Sequence, residues 1–315
     1  MEIGNETIVT QFKLIGFSST PELQIVFFVA FLIVYLLTIG ANLLIMVTIY
    51  MDSHLHSPMY FFLSNLSFLD LCLSTVVIPK SLLNFVSQSK TISFNECIVQ
   101  LFFLHFFGGA ECFHLTLMAY DRYVAICSPL HYTTIMSRRS CLQLVVSTWI
   151  GGFLHSFTQA FLTVQLPFCG PREINHFFCD VHPVSVLACS STFINEILVM
   201  ANNGTIVLGC FLVVFISYLY ILFTILKIHS AQGRHKAFST CASHLLVVIL
   251  IFGPCVFIYM RPSVTFSMDK MVSMFYTILT PLLNPIIYTL RNEKVKRGMK
   301  KVKDRTVCFQ WLFIP

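Results

Sequence analysis

Seven apolar runs, each long enough to cross a bilayer, constrain this chain more than any other feature. A spanning helix needs about 20 predominantly apolar residues. Such runs fall at about 23–50, 58–86, 97–127, 141–163, 195–228, 237–260 and 270–290. The second and seventh read as the weakest, because Ser, Asn, Asp and Pro interrupt them. If either failed to span, the two ends of the chain would share a side. Hydrophobic residues make up 56% of the 315 and charged ones only 11%, against about 25% charged in soluble domains. The chain has too little polar surface to cover a soluble ball of its size. The predicted fold is all-α: a seven-transmembrane-helix bundle, followed by a short amphipathic helix on the membrane surface.

No repeat and no linker divides the sequence, so residues 1–315 read as a single domain. Residues 1–22 form an outer N-terminal segment, 23–290 the bundle and 291–315 an inner tail. The first run is too long for a signal-peptide core. Glu2, Glu6 and Glu22 precede it against Lys13 alone, which is not a basic leader. Lys and Arg set the orientation. With the N-terminus outside, Arg122, Arg138, Arg139, Lys227, Arg234, Lys236 and a strongly basic tail face the cytosol. Lys13, Lys80, Lys90, Arg172, Arg261 and Lys270 face outward and are outnumbered. Asn5-Glu6-Thr7 is a glycan acceptor triplet on the outer side.

The chain has 12 Cys. Cys97, Cys169, Cys179 and Cys189 lie outside or at an outer helix end, where disulfides form. Four cysteines allow three pairings, and the spacing does not choose among them. Three of the four sit in the long segment between about 164 and 194, which carries Pro167, Gly170, Pro171 and Pro183 as breakers. A loop of that length reads as a disulfide-pinned lid over the outer mouth. Past Leu290, Val295, Met299 and Val302 form a narrow apolar stripe in a basic tail, which predicts a helix on the anionic inner leaflet. Cys308 beyond it is a candidate for acylation.

Ionisable groups at membrane depth need a partner or a task, since each costs about 2.5–3.5 kcal/mol on insertion scales. Asp70 and Glu111 lie mid-run, with Asn42, Asn65 and Asn284 at comparable depth. They read as one buried cluster able to share a proton or hold a cation such as sodium, or as plain interhelical hydrogen bonding. Pro281 and Pro285 favour a kink in the seventh run, with Asn284 placed to bond the freed carbonyls.

Several stretches resemble the odorant receptors, a branch of the rhodopsin-like G-protein-coupled receptors: Leu55 to Leu63 (LHSPMYFFL), Met118 to Cys127 (MAYDRYVAIC), Ser217-Tyr218, Lys236 to His244 (KAFSTCASH) and Pro281 to Asn292 (PLLNPIIYTLRN). The likeness runs almost end to end. Asn175 to Asp180 (NHFFCD) is similar to the tetrapod-type, airborne-odorant branch. The resemblance implies no catalysis. It implies a small, mostly apolar, volatile ligand, a stimulatory olfactory G protein that raises cyclic AMP, and a multi-pass place in the plasma membrane. It implies disulfides Cys97–Cys179 and Cys169–Cys189. Arg122 would gate the G protein, held by Asp121, with Tyr123 beside them. Tyr218 and Tyr288 would meet near Arg122 on activation, while Lys236 and His244 flank the inner end of the sixth helix. Asn42, Asp70, Glu111 and Asn284 would be the mid-membrane cluster.

The ligand wall so implied is Leu104, His105, Gly108, Gly109, Cys112, Asn202, Asn203, Ile206, Phe252, Cys255 and Tyr259. Phe252 departs from the Tyr found in many relatives. Gly108-Gly109 leaves room either for a ligand or for close helix approach. His105 reads as a satisfied imidazole, a ligand donor or, with Cys112, part of a metal site. This wall contains no acid, which argues against an amine ligand. A transporter would need inverted repeats, and a membrane enzyme a motif such as HExxH. Neither is seen.

Overall fold

A computed structural model describes residues 9–17, 20–169, 172–189, 192–260, 268–290 and 292–312, without the side chains of 236, 239, 240, 290 and 303–312. Asn5, the Lys236 side chain and the Cys308 side chain lie outside the described residues.

The seven expected long helices form. They are α1 (Pro21–Met51), α2 (Pro58–Val86), α3 (Phe94–Cys127), α4 (Arg138–Val164), α5 (Phe193–Leu226), α6 (Ala231–Tyr259) and α7 (Asp269–Met274 continued through Phe275–Leu279 and Thr280–Leu290). An eighth helix, α8 (Glu293–Leu312), follows. Residue chemistry sets the starts. Pro opens α1 and α2 at their first turn, where a missing N–H costs nothing. A capping box of Ser93 and Glu96 opens α3, and Ser137 and Ser230 cap α4 and α6.

Six of the helices are long and apolar enough to cross a membrane. The least apolar is α4, not the second or seventh. Thr148, Gly152, His155, Ser156, Gln159 and Thr163 of α4 are turned into the bundle, and polar groups on the inward face dilute its hydropathy. Helix α3 is the axis of the bundle and packs on α2, α4, α5 and α6. Its closest approach is to α4. A Cβ built on Gly152 would lie 2.7 Å from the Phe106 carbonyl oxygen and 2.8 Å from the Ala110 nitrogen. Only glycine fits there.

The end that carries the four disulfide cysteines is more ordered than a tail and a lid. Strand β1 (Gln11–Leu14) lies between β2 (Thr91–Ser93), antiparallel, and β3 (Glu173–Ile174), parallel. Phe12 pairs with Ile92, and Leu14 with Ile174. Phe12, Leu14, Ile92 and Ile174 are all buried in one cluster with Cys97 and Cys179. The alternation of Gln11-Phe12-Lys13-Leu14 is the sequence signal for β1. The long loop also holds a short helical turn, Val181–Ser185. Two disulfides pin it: Cys97–Cys179, with Cα atoms 5.4 Å apart, ties it to α3, and Cys169–Cys189, at 5.7 Å, closes it on itself.

At the other end the α8 stripe does not lie on lipid alone. Val295 is fully buried and Met299 packs on the main core. A Cβ at Gly298 would lie 2.8 Å from the Thr48 side chain, so α8 is seated on the end of α1. Asp52 accepts from His54 and from Lys301, tying the first inner turn to α8.

Gly152→Ala should lower the thermal stability of the purified protein by about 1–3 kcal/mol, as overpacking against backbone does. Gly108→Ala should fold normally, because a Cβ there meets nothing within 4 Å. Equal melting of both variants would contradict this packing. Removing the Cys97–Cys179 bridge, which closes a separation of 82 residues, should cost about 2–5 kcal/mol. Cys179→Ser should therefore fail to reach the cell surface, and full surface staining would refute that.

Candidate functional site

The long loop delivers a carboxylate into the bundle. Asp180 follows Cys179 directly, so the disulfide to α3 fixes where it points. Its Oδ1 accepts from the Val181 backbone N–H at 2.7 Å and bonds His105 Nε2 of α3 at 3.1 Å. Its Oδ2 accepts from the Tyr259 hydroxyl of α6 at 2.8 Å. The Tyr259 and Tyr276 hydroxyls are 2.7 Å apart. Tyr259 has one hydroxyl hydrogen and gives it to Asp180, so Tyr276 of α7 must donate to Tyr259. One loop side chain thereby clamps α3, α6 and α7. Burial alone would raise the Asp180 carboxyl, but the His105 bond and the nearby histidines hold it at about 2.

Beneath this clamp lies a small cavity of about 50 Å³. Leu104, His105, Gly108, Gly109, Cys112, Asn203, Ile206, Cys255 and Tyr259, all expected in the wall, line it. Two expected wall residues lie elsewhere. Asn202 turns to α4, its Nδ2 3.2 Å from His155 Nδ1. Phe252 is buried in the main core. The two glycines divide the work left open between them. Gly108 faces free space, whereas a Cβ at Gly109 would lie 2.9 Å from the His155 ring. Gly108 makes room in the cavity and Gly109 lets α4 approach.

The cavity also takes in Glu111, His155 and Tyr276, which the sequence reading left out of the wall. Glu111 corrects the expectation of a wall without an acid. It sits at the cavity floor and belongs at the same time to the polar cluster below. Asn284 of α7 donates from one Nδ2 to Asp70 of α2 at 2.9 Å and to Glu111 at 3.3 Å. The two carboxyl groups thus share one amide donor. Asn42 of α1 donates to the Pro281 carbonyl at 3.0 Å. That carbonyl is the one Pro285 frees, four residues back, and Asn42 meets it. Asn284 does not meet it, because both its amide bonds go to the acids. Asn65, expected at the same depth, bonds its own helix at the Phe61 carbonyl. His105 gives its Nε2 to Asp180, and among the described residues no three His, Cys, Asp or Glu side chains converge as a metal site.

Arg122 lies at the far end of α3. No ion pair joins it to Asp121 within 4 Å among the described residues. The Tyr132 hydroxyl from the following loop takes the Asp121 carboxylate at 2.8 Å. Tyr123 packs with Tyr218 against the core. Tyr218 of α5 bonds His244 Nδ1 of α6 at 2.8 Å, and His244 Nε2 meets the Leu115 carbonyl of α3 at 3.1 Å. A carbonyl only accepts, so Nε2 carries the proton, and in the neutral ring Nδ1 accepts from Tyr218. His244 therefore ties α3, α5 and α6 together beside Arg122. The Tyr288 hydroxyl is buried without a bond.

Asp180→Ala would leave the His105 and Tyr259 donors buried without their acceptor. Breaking a buried pair costs about 3–5 kcal/mol, and the ligand-free protein should melt correspondingly lower. An unchanged melting temperature would contradict the clamp. The sign with pH follows from the lowered Asp180 value. Its contribution is present above the ordinary carboxylate value of 3.8 and is lost as pH falls through about 2.

Residues 31–305 match the olfactory receptor family. The chain is 55% identical to mouse (Mus musculus) olfactory receptor 4E2 over 304 residues, covering 96% of this chain and 98% of that one. It is 56% identical to human (Homo sapiens) olfactory receptor 4S2, covering 96% and 97%. It is 57% identical to human olfactory receptor 4Q2, covering 96% of each. With seven long helices, two disulfides at one end of the bundle and this likeness over nearly its whole length, the chain belongs to the olfactory receptor family, multi-pass membrane receptors for odorants rather than enzymes.

Proposed function

We propose that this receptor binds a small, mostly apolar, volatile molecule in the cavity between α3, α5 and α6, and that binding activates an olfactory stimulatory G protein and raises cyclic AMP. The observation that carries this reading is the double membership of Glu111. It lines the ligand cavity and takes a bond from Asn284 of the central cluster. A ligand seated on the floor therefore disturbs the bonds that hold α2, α3 and α7 together. Coupling of this kind needs a discrete network shared by both sites.

The inner end supplies the output. The Tyr218–His244–Leu115 chain fastens α5 and α6 to α3. Outward movement of α6 breaks it, frees Tyr218 and leaves Arg122 open to a partner. Tyr288, whose hydroxyl is unbonded, is then placed to meet Tyr218. The G protein docks on this face, so the Arg122 end is cytosolic and the disulfide-pinned end extracellular. Asn5 carries a glycan on that outer side, and Cys308 is an acylation candidate on the inner one.

The central cluster also fits a hard cation such as sodium. Asp70 Oδ2, Asn284 Oδ1 and Asn42 Oδ1 are buried acceptors with no bond, and hard cations take oxygen ligands. Asp70 and Glu111 would hold the ion, which would neutralise the second carboxylate.

Arg122→Ala should leave folding and surface delivery near wild type and reduce the odorant-evoked cyclic AMP response to background. Cells expressing the variant with a wild-type response would overturn the assigned output.

A further inference from the structure

One fully buried polar atom among the described wall residues lacks a partner, and it selects a ligand class. Among the described lining residues, Asn203 alone has a buried polar side-chain atom without a partner, its amide Nδ2. Each other nitrogen- or oxygen-bearing side chain of the wall makes at least one bond. His105, Tyr259 and Tyr276 belong to the Asp180 clamp. His155 is bonded through Nδ1 to Asn202. Glu111 accepts from Asn284. Cys112 and Cys255 are free thiols. Asn203 is 4% exposed, so bulk water does not serve it. The neighbouring Asn202, one residue earlier on α5, faces α4 and cannot take its place.

We propose that Asn203 is the specificity-determining residue, and that it donates to an oxygen acceptor on a neutral ligand, the class of ketones, esters and ethers. This rests on the odorant-receptor reading above and narrows its ligand. A buried N–H that gains an acceptor recovers the cost of having been left unpaired. A hydrocarbon of the same shape offers no acceptor. A protonated amine offers only donors, and both acids near the cavity are already engaged: Asp180 by three donors and Glu111 within its cluster.

The test uses three probes on one skeleton: cyclohexanone, cyclohexane and cyclohexylamine. Binding is read as the concentration that half-maximally raises the melting temperature of the purified full-length receptor, with no G protein present. Wild type should bind cyclohexanone roughly tenfold or more tightly than cyclohexane, the worth of one such bond, and cyclohexylamine more weakly still. Asn203→Leu should erase the ketone advantage by weakening cyclohexanone alone. Asn203→Asp, which keeps the size and removes the donors, should weaken cyclohexanone and strengthen cyclohexylamine. Equal binding of ketone and hydrocarbon by wild type overturns the proposal, as does a ketone advantage that survives Asn203→Leu, or binding of none of the three. The wild-type comparison stands even if a variant fails to fold. Cyclic AMP in cells separates the two readings. Ketone-selective binding without a cyclic AMP response upholds the Asn203 inference and removes the proposed signalling. A response to these probes without ketone preference does the reverse.

Discussion

One side-chain amide holds the middle of this receptor together. Asn284 donates to Asp70 and to Glu111, and so joins α7 to α2 and α3 where lipid surrounds the bundle. Two carboxyl groups at that depth are tolerable only if hydrogen-bonded and sharing a proton or a cation. The same requirement makes the cluster an unforgiving joint. A small displacement of any of the three helices leaves a buried acid or amide unmet, at about 1–3 kcal/mol per group. Helices held this way have few intermediate arrangements. That is what a switch needs.

The two ends depend on this joint in different ways. Above it, Asp180 clamps α3, α6 and α7 from outside, and β1 and two disulfides hold the loop that carries Asp180. The upper end is therefore held tightly, and a ligand in the proposed site would sit between this clamp and the Asn284 cluster. Below the joint the fastening is lighter. A tyrosine and a histidine join α5 and α6 to α3, and Asp121 is occupied by Tyr132 rather than by Arg122. Under the proposed function the bundle, stiff above and lightly fastened below, opens at the end that carries Arg122.

The sequence made much of this legible. Seven apolar runs gave the bundle, because a spanning helix must be long and apolar whatever it packs against. Helix α4 misled on apolarity, since Gln159 and His155 face inward and hydropathy does not record direction. Strand β1 was hidden because four residues carry little signal, although Phe12 and Leu14 alternate with polar neighbours. Asp180 stood in a recognised stretch, yet its role depended on a Cys97–Cys179 pairing that spacing alone did not settle. Glu111 was read as part of the cluster and not of the cavity, because one helical position can face both, and only depth and packing show it. Likewise Phe252 lies on α6 with Cys255 and Tyr259, but one turn deeper in the core.

Movement at the inner end is the central claim, and a distance measures it. Arg138 and Arg234 are exposed near the inner ends of α4 and α6. Spin labels on Arg138→Cys and Arg234→Cys report their separation by pulsed electron resonance in the purified receptor. The distance should lengthen when an activating odorant and G protein are both bound, and should return to its starting value when they are removed. A distance that stays fixed while the odorant binds and cyclic AMP rises would contradict the account.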